Sequence, residues 1–457
     1  MGIRSTVIKL LGGTPTPMPK LVGSSISLQM GLPVYDKYNQ FKNIERYATQ
    51  DDLYSVTRLI AKTAAMIPIR VYKIKNQQKF RQYQDAIKIK DYTTAGIVKK
   101  MMLKKEALIE VDKSDELQML LDNPNPLYDK TEFNEGFYTF RLITGNGYIY
   151  KPTLDEGVNA GKTTEMWLMP TQFMNPVITQ SFPKEITMYQ LRILGITNVP
   201  VTDVMHSRYF NPQFTIMGDE LIGLSPLASL HRVAERNKAE NDYMVRGFQN
   251  SGAQGIVNFE ELSESDTGAL GKMKNEFYAE STDTINARKS LFHAGKSTFT
   301  QIGLGPVDMD VIESQKITFK KFCNVYGVSD ILFNNGEAST ESNVKEMVKR
   351  LYTNAALPEV YAFRDLINKE LCPAYGPDYF VDADLSGITE LQEDMKSMAD
   401  VFSSLPIMNP NLILDAFNYG KSEDPAMDKY YIKSGYQLID DVAAIPDIPN
   451  PSKDYNA

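Results

Sequence analysis

The segment Leu227 to Phe248 constrains this chain more than any other. It predicts a single helix of about 22 residues, roughly 33 Å long at ~1.5 Å per residue. Charges at Arg232, Glu235, Arg236, Lys238, Glu240, Asp242 and Arg246 lie nearly all round it, so no wide apolar stripe serves a private core. A helix polar on most sides either bridges between bodies or packs against neighbouring copies. The following residues strengthen this reading. Gly252 to Gly305 predicts a compact insert, with strands at Gly255–Phe259 and Ser297–Ile302 and a helix near Asp266–Ala279. A second helix returns over Asp308–Tyr326, a turn-rich loop runs from Gly327 to Ser342, and a long helix spans Asn343–Leu371 with a kink expected at Pro358. Two helices that leave a body and return with a knob at the tip form a stalk. Such a stalk exposes too much surface for a monomer and makes sense when identical copies pack in a ring.

The rest of the chain can supply the body. Its 457 residues suffice for two or three packed modules at roughly 150 residues each. Hydrophobic residues make up 42%, which excludes wholesale disorder. No run approaches the ~18 to 20 apolar residues of a membrane-spanning helix. The patch Val7–Leu11, broken by Lys9, is too short for a secretory signal. The two cysteines, Cys323 and Cys372, build neither a disulfide framework nor a zinc cluster and are expected to be buried small hydrophobes. A soluble protein of a reducing compartment is expected, with no membrane partner.

The net charge of −8 is unevenly spread. Residues 376–457 hold fifteen Asp/Glu and five Lys, a net of −10, whereas Val71–Lys105 holds ten Lys/Arg and two Asp, a net of +8. A protein that grips DNA statically is expected to be basic overall, because phosphate neutralisation supplies most of the affinity. This chain is not. The basic stretch reads as a surface hairpin that is either simply solvated or in contact with DNA or an acidic protein partner.

Residues 1–48, rich in Gly, Pro and Ser, read as an arm. A helix is predicted over Asp51–Ile67, capped by Thr49, with Leu53, Val56, Ile60, Ala64 and Ile67 on one face and Pro68 as its stop. Ile69–Ile74 alternates like a strand. Helices are predicted at Asp115–Leu121 and, capped by Thr131, at Glu132–Ile143. Short strands follow at Gly147–Pro152, Glu165–Met169, Phe173–Ile178, Met188–Ile193 and Val201–Met205, giving an α+β module.

Catalytic patterns are poor. Ala294-Gly295-Lys296-Ser297 lacks the first glycine of a phosphate-binding loop, whose position is Ser290, and it leads into a strand pattern where such a loop opens a helix. Gly268-x-x-Gly271-Lys272 fails likewise. His206, His231 and His293 have no partner at helical spacing and read as satisfied histidines, and Ser225 before Pro226 reads as a helix cap. No enzyme, metal or cofactor is expected.

Several short signatures in order resemble the portal proteins of tailed phages, of the group with HK97-type capsids. They are the helix Val56–Pro68, Leu120–Pro126, Gly145-Asn146-Gly147-Tyr148 within Leu142–Tyr150, Leu168-Met169-Pro170, His206-Ser207-Arg208, Gly223-Leu224-Ser225-Pro226-Leu227, Glu313 with Lys316, and Tyr326-Gly327-Val328. The resemblance runs from about Asp51 to Asp441. Ser329 stands where the family has Pro, and Phe80 to Val111 looks like an insertion. The resemblance implies a portal fold: an arm (1–48), an α/β wing (49–225), stem helices (226–249 and 307–326), an α/β clip (250–306), a tunnel loop (327–342), a long wing helix (343–375) and a mostly helical acidic crown (376–457). It further implies a ring, of twelve copies in the family, at the capsid portal vertex of a virion assembled in the host cytoplasm. Double-stranded DNA would pass through it, the major capsid protein would surround it, and terminase and a head–tail adaptor would dock on the clip, where Glu260, Glu261, Lys272, Lys274, Arg288 and Lys289 are the candidates. The competing reading is an adaptor or minor head protein without a channel.

The tunnel loop carries the clearest physical signal. Val328–Asn343 contains Asp330, Glu337 and Glu341, the neutral polar residues Asn334, Asn335, Ser339 and Thr340, and no Lys or Arg. A duplex presents about one negative charge per 1.7 Å of axis. Fixed cations would hold it at each step, while a neutral-to-acidic wall keeps the profile shallow.

Overall fold

The computed structural model describes residues 39–89, 94–153, 161–179, 181–193, 195–214, 218–249, 255–259, 268, 271–272, 297–301, 311–333, 341–385, 387–388, 390, 400, 402–416, 422, 424–432 and 437–438. In chain order come helices α1 (Gln40–Thr49) and α2 (Asp51–Ala65), strand β1 (Ile69–Ile74), helices α3 (Gln77–Lys88) and α4 (Thr94–Ala107), strand β2 (Leu108–Glu110), and helices α5 (Glu116–Asp122) and α6 (Lys130–Thr144). Strands β3 (Asn146–Tyr150), β4 (Trp167–Met169), β5 (Met174–Ile178), β6 (Ile186–Leu191), β7 (Thr197–Pro200) and β8 (Val204–Arg208) follow. Next are α7 (Leu227–Gln249), the ribbon β9 (Gly255–Phe259) and β10 (Ser297–Gln301), and α8 (Val311–Tyr326). The chain continues through α9 (Glu341–Arg350), a π-helical turn (Leu351–Ala356), α10 (Leu357–Glu370), α11 (Cys372–Tyr375), β11 (Tyr379–Ala383), β12 (Ile407–Met408), α12 (Pro410–Ala416), β13 (Tyr431–Ile432) and β14 (Gln437–Leu438). Helices alternate with small antiparallel sheets, the α+β class expected.

The chain divides into two compact units. The first comprises Met1–Ala64, Glu132–Lys151 and Trp167–Ala356. There α2 buries Leu53, Val56, Ile60 and Ala64 completely, and α6 buries Phe133, Phe137 and Tyr138. Strand β3 lies between β4 and β8, all antiparallel. The meander β5–β6–β7 shares one apolar cluster with that sheet, built from Tyr148, Met169, Met174, Tyr189, Val199 and Val204.

The second unit comprises Ala65–Thr131, Pro152–Met166 and Leu357–Ala457. Its sheet has the order β11–β1–β2, covered by α3 and α4 through Tyr72, Phe80, Tyr83, Ala107, Leu108 and Phe380. Asp382 is buried beneath them. It accepts from Tyr83 Oη and pairs with Lys104 at 3.0 Å and Arg364 at 3.3 Å. Farther along α4, Met102 packs with Phe402, Leu405 and Ile413 of the C-terminal region. Among its described residues that region, expected as mostly helical, includes a small sheet of order β12–β13–β14.

Several local expectations need correction. The arm ends in a helix, α1, so Thr49 is not the cap of α2. It closes α1, its hydroxyl donating to Glu45 O at 2.8 Å. Thr131 lies inside α6, which starts at Lys130. The basic stretch is no hairpin. Asn76 caps α3 by accepting from Gln78 N and Lys79 N, and Phe80, Tyr83 and Ala86 form a buried helical face. The strand expected over Val201–Met205 is interrupted by a 3-10 turn, Val201–Asp203. The disturbance expected at Pro358 takes the form of the π turn just before it. Proline has no N–H for the carbonyl of Asn354 and its ring crowds that carbonyl, so the helix widens locally.

Candidate channel site: the stem root and the loop base

The signatures Gly145-Asn146-Gly147-Tyr148, His206-Ser207-Arg208 and Gly223-Leu224-Ser225-Pro226-Leu227 meet at one place in the first unit. Gly145 adopts φ 78°, and a Cβ there would lie 2.6 Å from the Leu224 carbonyl; a Cβ on Gly223 would lie 2.0 Å from Gly145 O. Backbone therefore presses on backbone, and only glycine fits at either position. Asn146 locks the contact. Its Oδ1 accepts from Gly223 N at 2.7 Å, and its Nδ2 donates to Thr144 O at 3.1 Å and Gly223 O at 3.3 Å. Ser225 Oγ donates to Ile143 O at 2.5 Å and accepts from Leu227 N at 3.1 Å, satisfying an orphan N–H at the start of α7. The expected cap role of Ser225 is met.

His206 completes this cluster. Because Asn146 Oδ1 is an acceptor, the Nε2 of His206 at 3.0 Å is the donor, and Nδ1 accepts from Tyr189 Oη at 3.2 Å. The ring stacks on Tyr148 at 4.2 Å. Burial, aided by Arg208 and Arg141, pushes its pKa down to about 3, so it stays neutral and structural.

Helix α1 fastens α7 from the other side. Asn43 Nδ2 donates to Ser225 Oγ at 3.3 Å, and Gln50 Nε2 donates to Ala234 O at 3.0 Å. Arg46 donates to Glu235 at 2.7 Å and to His231 Nδ1 at 2.6 Å, which makes His231 a neutral acceptor. These residues were missed in the sequence because the buried face of α1 is polar.

Along α7 the buried side chains are Leu227, Leu230, His231, Ala234 and Asn237; from Lys238 to Val245 none is fully buried. Its partner is α8, joined through Arg236 to Ser314 O at 3.1 Å, Asn241 to Gln315 at 3.0 Å, and Glu240, which accepts from Ser314 Oγ and, at 3.3 Å, from Thr318. Ile312, Ile317 and Val325 of α8 stay exposed. The helix ends at Gly327, φ 72°, with Val328 N returning to Cys323 O at 3.0 Å, while Tyr326 Oη donates to Leu142 O at 3.0 Å.

The loop base is built, not loose. Ser329 caps a 3-10 turn over Asp330–Leu332, Phe333 meets Phe319 edge to face at 5.2 Å, and Asp330 lies 3.7 Å from Lys320. A cation therefore reaches the loop from α8 although the loop itself carries none. Of the other expected loop residues, Glu341 opens α9; Asn334, Asn335, Glu337, Ser339 and Thr340 lie outside the described residues. Of the clip candidates, Lys272 is helical and exposed, and Glu260, Glu261, Lys274, Arg288 and Lys289 lie outside the described residues. Ser297 opens strand β10, paired with Phe259, which removes the phosphate-loop reading. Both cysteines are buried, and burial pushes each thiol up to about 12. Among the described residues no group of His, Cys, Asp or Glu is placed to hold a metal, and no helix is long and apolar enough to cross a membrane.

Comparison with known proteins agrees with this geometry. The family model described as phage portal protein matches residues 86–416. An uncharacterized protein of Rickettsia bellii is 23% identical over 300 residues, 63% of this chain and 74% of its own length. A chain in the virion of a native gene transfer agent particle superposes with TM-score 0.55 and 14% identity, over 92% of this chain and all of that one. A chain from the neck of a native gene transfer agent particle, computed with C12 symmetry, gives TM-score 0.53 and 16% identity, over 84% of this chain and 95% of that one. Those two likenesses show a shared fold.

Proposed function

This chain belongs to the phage portal protein family, and from that premise we propose that it is one subunit of a ring at a capsid vertex through which double-stranded DNA enters and leaves. The observation that carries the reading is the pair α7–α8. It is clasped to its own unit by Ser225, Asn43 and Arg46, yet beyond Asn237 the described part of α7 buries no side chain fully, and α8 leaves Ile312, Ile317 and Val325 exposed. Those surfaces fit neighbouring copies around an axis. The C12 symmetry of the neck relative makes twelve copies the expected number. Electron microscopy of the purified chain is expected to show rings with a central hole; compact single subunits at high concentration would overturn the proposal.

Asp330, Asn334, Asn335, Glu337, Ser339, Thr340 and Glu341 line the bore in this reading, and Glu260, Glu261, Lys272, Lys274, Arg288 and Lys289 offer the charges for terminase and adaptor. The subunit catalyses nothing and supplies a weakly binding conduit for a motor elsewhere. Replacing Asn334 and Asn335 with Lys is expected to slow packaging in a reconstituted terminase assay with ring assembly intact, since each added cation strengthens phosphate binding. Packaging at the parental rate would remove the sliding-loop part of the proposal.

A further inference from the structure

At the root of α7 lies a half-buried carboxyl, Asp52 of α2, with no cation beside it among the described residues. Asn237, 1% exposed, donates from Nδ2 to Asp52 Oδ2 on α2 at 2.7 Å. Its other amide atom, Oδ1, is buried and accepts no hydrogen bond. An orphaned buried acceptor is destabilising, so a well-packed root should offer it a donor. Among the described residues the groups facing Asp52 offer no cation. On α2 it has the neighbouring carboxylate Asp51; on α7 it has Asn237 and Glu240, and Glu240 is occupied by Arg236 at 2.7 Å; on α8 it has the neutral thiol of Cys323. Gln50, between α1 and α2, has its neutral amide engaged with Ala234 O.

We propose that Asp52 and Asn237 share a proton as a carboxylic acid–amide pair, which fastens α2 to the first stem helix as the medium acidifies. An acid and a primary amide close a ring of two hydrogen bonds. The amide N–H donates to one carboxyl oxygen, as it does here, and the carboxyl O–H donates to the amide oxygen, which is the atom left orphaned. Loss of the proton breaks the second bond and sets a bare carboxylate beside Asp51 and Glu240. The charges agree with the geometry: burial first, then Asp51, then Glu240, lift the Asp52 carboxyl from its ordinary 3.8 to about 6, against the lowering effect of the Asn237 hydrogen bond. The folded state therefore holds a proton that the unfolded chain has lost. Stability is greatest at low pH, falls as pH rises from about 4 through 6, and levels off above. Between pH 5 and 7.5 the unfolding constant rises by at most about tenfold from this group.

Only the word stem rests on the proposed function; the pair itself does not. The test uses the full chain. Difference infrared spectra at pH 5 are expected to show the carbonyl band of a half-buried protonated carboxyl, absent from Asp52→Asn. Melting curves from pH 4.5 to 8 are expected to fall with pH for the parent and, relative to it, to flatten for Asp52→Asn, which keeps a neutral pair at every pH. No protonated band in the parent at pH 5, or an unchanged pH profile in Asp52→Asn, would overturn the inference. Absence of rings in the microscope would overturn the portal reading and leave this one standing.

Discussion

Two aspartates, one buried in the second unit and one half-buried in the first, are handled in opposite ways. Asp382 is 3% exposed and meets two cations, Lys104 and Arg364, as well as Tyr83 Oη. Burial works against the charge of Lys104, yet Asp382 and Tyr72 raise its pKa above the ordinary value, and burial together with Asp382 raises that of Tyr83. Asp52 meets an amide and two other acids. The first arrangement is a counterion lock. The second is left for a proton to neutralise. The lock holds α3 and α4 on the sheet of the second unit; the titrating pair joins α2 to α7 within the first.

This contrast can be broken at several points. The largest effect is expected from Asp382→Ala, which takes the carboxylate from half-buried Lys104 and leaves buried Arg364 with the exposed Asp365, and should cost about 3 kcal/mol in denaturant unfolding. A cost below about 1 kcal/mol would mean that the cluster is not a lock. Arg46→Met is expected to cost less, about 1–2 kcal/mol, because Glu235 is half exposed and can rehydrate, and His231 can find another donor. It should also speed hydrogen exchange in the first turns of α7 while leaving α3 and α4 unchanged. The smallest effect is the pH slope of the first unit. Acidifying from pH 7.5 to 5 should slow exchange, corrected for its intrinsic rate, at the α2–α7 contact, by at most about 1 kcal/mol after solvent screening. The second unit, where Lys104 and Tyr83 are held above their ordinary values, is the control, and a matching slope there would erase the comparison.

Much of the fold was legible because burial and periodicity coincide. In α2, the positions Leu53, Val56, Ile60 and Ala64 are spaced for one face and are all fully buried. The span of α7 and the strand Gly255–Phe259 were legible from uninterrupted helix and strand patterns, although α7 carries charge nearly all round. Helix α1 was not legible, because Asn43, Arg46 and Gln50 face inward and an inward polar face leaves no apolar period. The α3–α4 pair could have been found: Asn76 is a cap and Phe80, Tyr83 and Ala86 lie three apart, a pattern obscured by the high density of lysine around it.

The sequence alone determined the α+β class, the two long helices bracketing a strand pair, and the cation-free loop, since each depends on neighbours a few residues apart along the chain. Only the tertiary structure decided that Gly145 and Gly223 must both lack a side chain, that Asn146 joins them to His206, and that Asp52 finds Asn237 instead of a cation. Those facts depend on atoms brought together from positions up to about 185 residues apart. Hydrogen bonds and desolvation act over a few ångströms in space, and no local pattern records which distant residue will be within that range.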